Sequence, residues 1–226
     1  MNSRNKIVPF GHDDGHDEEP LLVEGTNHRD EIITGGGPQF ILAGNGRDTI
    51  RAGGGPDIIE AGNGDDEVFA EGGPDKVWGG NGNDFIDGGG GPDTIDGGRG
   101  NDTIIGGAAA DVLTGGPGRD VFVYRSASEA SGHGNHEEEE DSDDGSPETI
   151  TDFHVGTDVF DFSAIGTVAS FSEGPQEGAV WAVQQGSNTM LYVDTNGSLE
   201  GDHPAEMQVL LLDVVAADLS VDDFIF

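Results

Sequence analysis

The 226-residue chain contains no cysteine. That excludes disulfide stabilisation and thiol chemistry. Basic residues are nearly as scarce: 9 Lys and Arg stand against 45 Asp and Glu, for a formal charge of −36. This balance excludes nucleic acid as a natural partner, since binding phosphate requires the opposite sign. It also opposes anionic membranes unless calcium bridges them. There is no apolar run long enough for a transmembrane helix, and residues 1–24 lack the apolar core of a secretory signal peptide. Neither H-E-x-x-H nor G-x-S-x-G occurs. With no nucleophile–base or metal–water constellation in view, the chain is not expected to be an enzyme.

What the chain has in excess is glycine, 40 residues of it. From Gly25 to Val123 these glycines fall into eleven consecutive nine-residue units with no slip, such as AGNGDDEVF (61–69), GGNGNDFID (79–87), GGGGPDTID (88–96) and GGRGNDTII (97–105). Position 6 is Asp in ten of the eleven units, Gln39 being the exception, and position 8 is apolar in all eleven, from Ile32 to Phe122. The six Gly-, Asn-, Asp- and Pro-rich residues of each unit cannot hold a helix and read as a turn. The next three, such as Thr94-Ile95-Asp96, have strand character. A strand that short cannot bury an apolar face alone, so the units must stack and put the position-8 side chains in continuous rows. Eleven apolar residues in phase also argue against a disordered Gly/Asp tract.

A second period lies inside the first. Position 5 is Pro38, Pro56, Pro74 and Pro92 in units 2, 4, 6 and 8, whereas odd units carry Arg, Asp or Asn there. The structural period is therefore a pair of units, with alternate turns on opposite sides of a flattened two-sheet coil. Two columns of carboxylates follow. Asp30, Asp48, Asp66, Asp84, Asp102 and Asp120 form one, and Asp57, Asp75, Asp93 and Asp111 form the other, below Gln39. Stacked turns lie about 4.8 Å apart, where two bare carboxylates repel by roughly 3–4 kcal/mol at an effective dielectric of 20. A cation between each pair reverses the sign. Turn carbonyls can join it where glycine permits positive φ. Carboxylates and carbonyls without sulfur or imidazole suit a hard cation, Ca2+ above Mg2+.

Residues 25–123 resemble the RTX (repeats-in-toxin) calcium-binding β-roll. The resemblance implies that each ion sits between turns two units apart. Its ligands would be the two Asp side chains, second- and fourth-position carbonyls of one turn, and first- and third-position carbonyls of the next. Carried onto this sequence, it implies second- and fourth-position ligands at Gly44, Gly46, Gly53, Gly55, Gly62, Gly64, Gly80, Gly82 and Gly100. First- and third-position ligands fall at Gly79, Asn81, Gly88, Gly90 and Gly97. One site would join Gly62, Gly64 and Asp66 to Gly79, Asn81 and Asp84. Another would join Gly53, Gly55 and Asp57 to Glu71, Gly73 and Asp75, displaced by one residue at Ala70-Glu71. Eight Asp–Asp pairs are available. Three units depart from the pattern, with His28 and Ala109 at position 4 and Gln39 at position 6, and their sites are expected to be weak or empty.

The flanks read differently. Residues 1–24 form a leader, whose His12 and His16 are read as solvated, ending in a rung at Leu21-Leu22-Val23 that keeps the repeat's phase. After Val123 the register ends. Residues 124–147, with the run Glu137 to Asp144, are expected to be a solvated acidic loop. Residues 148–226 read as a C-terminal antiparallel β cap that hides the open sheet edges, with strands at 149–153, 158–162 and 208–212 and a hairpin of 179–183 with 189–193. The stretches ITDFHVGTDVFDFSAI and TMLYVDTNG are similar to the C-terminal part of serralysin-type secreted proteins. Asp222-Asp223-Phe224-Ile225-Phe226 resembles the uncleaved signal read by type I (ABC) secretion machinery.

The expected fold is thus all-β, a parallel β-roll with an antiparallel β cap. The expected function is that of a secreted protein, unfolded in the cytosol, whose roll folds on extracellular calcium. Extracellular calcium modules bind at about 10⁻⁴–10⁻³ M, and at ten times Kd each ion adds roughly 1.4 kcal/mol. Two alternatives remain. One is a calcium-dependent module for acidic polysaccharide, as the chain resembles the roll modules of alginate epimerases; Arg47, Arg51, Arg99 and Arg119 would serve it. The other is an effector at a host membrane, like the small secreted nodulation calcium-binding proteins.

Overall fold

The computed structural model describes residues 5–7, 20–126, 129, 146–172, 174–195 and 207–226. His12, His16 and the acidic run 137–144 lie outside the described residues. Among the described residues the chain winds into two facing sheets, one of nine strands and one of eleven. Odd repeat units build the first and even units the second. Neighbouring strands pair in parallel with Cα partners two units apart, for instance Ile50 with Val68 and Ile59 with Val77. Side chains alternate across each strand, so Ile58–Asn63 and Lys76–Asn81 each bury every second residue at their start.

Two apolar rows form the core. Ile32, Ile50, Val68, Ile86, Ile104 and Phe122 line one sheet, and Val23, Ile41, Ile59, Val77, Ile95 and Leu113 line the other, all buried. Each row member packs against the next turn as well as across the coil. Replacing Ile86 by Ala leaves a hole with no side chain free to fill it, and should cost about 2–5 kcal/mol. Trp78 points outward and is 40% exposed, so Trp78→Ala should cost far less. Thermal unfolding of the calcium-loaded protein checks the contrast.

The N-terminal rung is present: Leu21–Thr26 pairs with Gln39–Asn45, Val23 opposite Ile41. The leader is not wholly outside the coil, however, because Asn5–Ile7 adds a strand beside Asp30–Ile33. The coil also does not stop at Val123, as the loss of sequence register suggests. Glu148–Ile150 continues one sheet beneath Val112–Thr114, and Val159–Asp161 continues the other beneath Val121–Val123. The stacking partners are now 37 and 38 residues apart. The acidic segment is thus an excursion from an unfinished coil, and the ladder resumes after it. Ile150 and then Leu211 extend one apolar row, and Phe160 and then Phe224 extend the other.

The last turns change chemistry from isoleucine to aromatics. Phe160 stacks on Phe153 at 4.5 Å and on Phe224 at 5.5 Å, and Phe171 lies 4.8 Å from Phe224. These rings continue the buried core beyond the last repeat. Among the described residues antiparallel pairing enters only here. Met207–Leu211 pairs with Asn188–Val193, which forms a hairpin with Ala179–Gln185, and Ser170–Ser172 runs parallel outside that. The hairpin turn is tighter than the sequence suggests, closing at the pair Gln185–Asn188. The protein is therefore all-β, mostly parallel, with a partly antiparallel C-terminal region.

Candidate metal centre

All ten position-6 aspartates are buried. Strand register holds them in line: the N–H of each except Asp111 is donated to Oδ1 of the aspartate one turn on. Asp48 donates to Asp66 at 2.7 Å, Asp66 to Asp84 at 2.8 Å and Asp84 to Asp102 at 2.8 Å. On the opposite side Asp57 donates to Asp75 at 2.7 Å, Asp75 to Asp93 at 2.8 Å and Asp93 to Asp111 at 2.8 Å. Each carboxylate thereby satisfies one oxygen and is fixed in rotamer.

The other oxygen is the informative one. Oδ2 of Asp48, Asp57, Asp66, Asp75, Asp84, Asp93, Asp102, Asp111 and Asp120 is buried with no hydrogen-bond partner, and so is Oδ1 of Asp30. A buried acceptor left without a donor costs about 1–3 kcal/mol, more when charged. Nor is the space beside it empty of oxygen. A methyl group built on Gly79 would lie 2.8 Å from Asp84 Oδ2 and 2.5 Å from the Gly97 carbonyl oxygen. On Gly97 it would lie 2.7 Å from Asp102 Oδ2 and 2.9 Å from the Gly115 carbonyl. Carboxylate and carbonyl oxygens converge with no hydrogen between them, which is the donor set of a hard cation. Among the described residues no cluster of three or more His, Cys, Asp or Glu side chains suits a metal ion.

Electrostatics agree. Burial, followed by the neighbouring aspartates, pushes Asp93 up to about 8, Asp84 up to about 7, and Asp48 and Asp120 up to about 6. Burial likewise raises Asp57 and Asp111 to about 7 and Asp75 and Asp102 to about 6. The coil disfavours its own charges, and a divalent ion restores them.

The glycines explain how turns come this close. Gly80 and Gly82 have φ of 105° and 141°, conformations in which an L side chain is strained. A methyl on Gly82 would also strike the Gly64 carbonyl of the turn before. The other second- and fourth-position residues assigned by sequence, Gly44, Gly46, Gly53, Gly55, Gly62, Gly64 and Gly100, share positive φ. Third-position Asn81 and Gly90 each accept an N–H, from Gly64 and Gly73, at 2.7 Å. The Asn81 side chain is committed outward, donating to Asn63 at 2.8 Å.

The irregular turns are resolved by local chemistry. The displacement expected at Ala70-Glu71 does not occur: Gly72 bridges Gly54, and Glu71 holds the second position with φ of 77°. First and third positions of that turn are therefore Ala70 and Gly72, not Glu71 and Gly73. Gln39 donates from Nε2 to the Gly37 carbonyl, so an amide hydrogen stands where the other turns have a negative charge to neutralise. Asp30 Oδ2 accepts from the Thr26 N–H at 2.6 Å and from Thr26 Oγ1 at 2.9 Å. Ala109 does take the glycine conformation, with φ of 92°. Relieving it by Ala109→Gly should stabilise the calcium-loaded protein by about 1 kcal/mol, the left-handed penalty less the added freedom of the unfolded chain. A rise in Tm is the expected readout.

Three acidic residues in the continued coil were missed, two of them column members. Asp158 accepts the Asp120 N–H at 3.0 Å and ends that column, its second oxygen taken by the His154 N–H at 2.7 Å. Asp152 accepts from Gly115 at 2.9 Å and Gly116 at 2.7 Å. Glu148 follows Asp111 in the other column, since Val112 pairs with Thr149. The signal was there in FHVGTDVFD (153–161), which has Gly, Asp and Phe at positions 4, 6 and 8, with Gly156 at φ of 76°. The excursion and the extra residue Asp152 hid it.

Two parallel sheets coiled at two units per turn, edged by buried carboxylate columns that need a cation, define a calcium-binding β-roll. Residues 24–59, 42–77, 60–95 and 87–122 match the family model of the RTX calcium-binding nonapeptide repeat, in four copies, so the region 24–122 is an RTX-type repeat and binds Ca2+ along its turns. Among solved structures, the chain is similar to the AlgE6R3 subunit of the Azotobacter vinelandii mannuronan C5-epimerase, with 26% identity over 76% of this chain and 78% of that one and a TM-score of 0.45. The AlgE6R2 subunit of the same epimerase matches with 26% identity over 76% of this chain and 92% of that one, TM-score 0.39. The extracellular lipase LipA of Serratia marcescens matches with 13% identity over 98% of this chain and 42% of that one, TM-score 0.32. No curated protein matches the chain.

Proposed function

We propose that the protein acts outside the cell as a non-catalytic calcium-folded roll, exported unfolded by a type I (ABC) system and set in shape by the calcium it meets there. The observation that carries this is the set of ten buried aspartate oxygens in the two columns without partners. A coil that opposes its own charges is held open until a divalent ion arrives, and ion binding then supplies folding free energy. In this reading each ion lies between turns two units apart, on the paired aspartates with the carbonyls around them. The units are the leader with its rung (1–24), the roll (25–123), the acidic excursion (124–147) and the C-terminal region (148–226).

The suggested export signal fits that order of events. Phe224-Ile225 is a strand against Val159–Asp161, and Asp223 is buried and accepts the Gly156 N–H at 2.6 Å. Once the coil has formed, residues 223–225 are part of it, so a receptor reads them only beforehand. The test is export from a host carrying a type I system. The full chain should reach the medium and a chain trimmed of Asp223–Phe226 should not; equal export of both defeats the proposal.

A second reading rests on the outer face of the nine-stranded sheet. There the Arg51 guanidinium lies over the Phe69 ring at 4.2 Å, and Phe69 lies 5.7 Å from Phe85. A cation among aromatic rings suits the anionic and apolar faces of an acidic polysaccharide. Alginate should retain the calcium-loaded protein and release the variant Arg51→Ala; equal retention of both rejects this face. Liposome flotation separates these readings from a role at a host membrane.

A further inference from the structure

Glu148 occupies the place in the second carboxylate column where the aspartate after Asp111 would stand. Strand register puts it there, since Val112 pairs with Thr149 and Leu113 with Ile150. The sequence concurs: Pro147-Glu148 repeats the Pro56-Asp57, Pro74-Asp75 and Pro92-Asp93 pairs with one methylene more. Glu148 is fully buried. The Tyr124 hydroxyl donates to its Oε1, and its Oε2 has no partner. One rung above, Asp111 Oδ1 accepts the Asp93 N–H at 2.8 Å while Oδ2 has no partner.

Two side chains on adjacent rungs, the rungs about 4.8 Å apart along the sheet, thus each bury an unpartnered carboxylate oxygen at the same seam. Arg125, beside this seam in sequence, is already committed to Asp87 at 2.7 Å and Glu129 at 3.6 Å. We infer that Asp111 and Glu148 hold a divalent cation of the calcium class between them, in a site outside the nonapeptide pattern, with Tyr124 fixing the Glu148 rotamer. The longer side chain lets the column bridge the turn from which the 124–147 excursion leaves. The ion then ties the repeats to the C-terminal region across that break. The inference rests on the reading of the roll as calcium-loaded. The competing arrangement is one proton shared by the two carboxyl groups.

Two measurements separate them. Crystals of the full chain grown in calcium chloride should show an anomalous peak between Asp111 and Glu148 in addition to those between repeat turns. Peaks in the repeats with none at this seam overturn the inference, whereas no peaks anywhere overturn the calcium reading beneath it. Equilibrium dialysis against calcium should find one ion fewer per chain in Glu148→Gln, with the calcium-induced β signal retained. An unchanged count means a shared proton. If Glu148→Gln does not fold, the wild-type diffraction experiment decides.

Discussion

Removing calcium with a chelator at neutral pH should abolish most of the far-ultraviolet β signal, and millimolar calcium should restore it. Ten aspartate side chains are buried in two files, each held through one oxygen and each with its other oxygen unpartnered. Neighbours in a file repel by roughly 3–4 kcal/mol if bare, at an effective dielectric of 20. The apolar rows cannot be kept while the files are relieved, because the same short strands carry both: Asp84 and Ile86 are neighbours but one along the chain. Opening a turn to hydrate its aspartate therefore also exposes its isoleucine. Loss should be cooperative along the coil, as each turn is supported mainly by its neighbours. Circular dichroism with chelator and then calcium measures it, and a β signal indifferent to the metal refutes the cation's role in the fold.

Acid should partly replace calcium. In the folded chain without metal, burial, joined at all but Asp75 by the neighbouring carboxylates, raises Asp93 to about 8, Asp57, Asp84 and Asp111 to about 7, and Asp48, Asp75, Asp102 and Asp120 to about 6. Their ordinary value is 3.8. The folded state therefore retains protons that the unfolded chain has released. The resulting stability is full below the unfolded value and falls as pH rises through about 6 to 8. Protein freed of calcium should show more β structure at pH 4 to 5 than at pH 8, a dependence calcium should remove. The same protons leave when the ion binds, so calcium affinity should rise with pH across that window. Calorimetry at pH 7 in buffers of different ionisation enthalpy counts them. A metal-free chain that gains structure as the pH rises contradicts the argument.

Much of this architecture is legible because the repeat states the same constraint eleven times. Phase alone places Ile86 inward and Asp84 at the turn, and the alternation of Pro56 and Pro74 with Asp65 and Asn83 reveals that two units make one turn. Legibility fails where a local cue is absent. Glu71 resembles a slip in the glycine pattern, yet it keeps the second position at positive φ, because the flanking ladder strands hold the register. Asp158 and Glu148 belong to the columns, but the acidic excursion and the extra residue Asp152 separate them from the repeats by 38 and 37 positions instead of 18.

The sequence by itself determined the two-sheet coil, its apolar rows, its aspartate files and its oxygen-rich chemistry, because each follows from residue type at a fixed period. Only the tertiary structure decided where the coil ends and which oxygens lack a donor. Both depend on pairing between residues far apart in the chain, and a ladder hydrogen bond can form across any excursion whose two ends meet at the same rung.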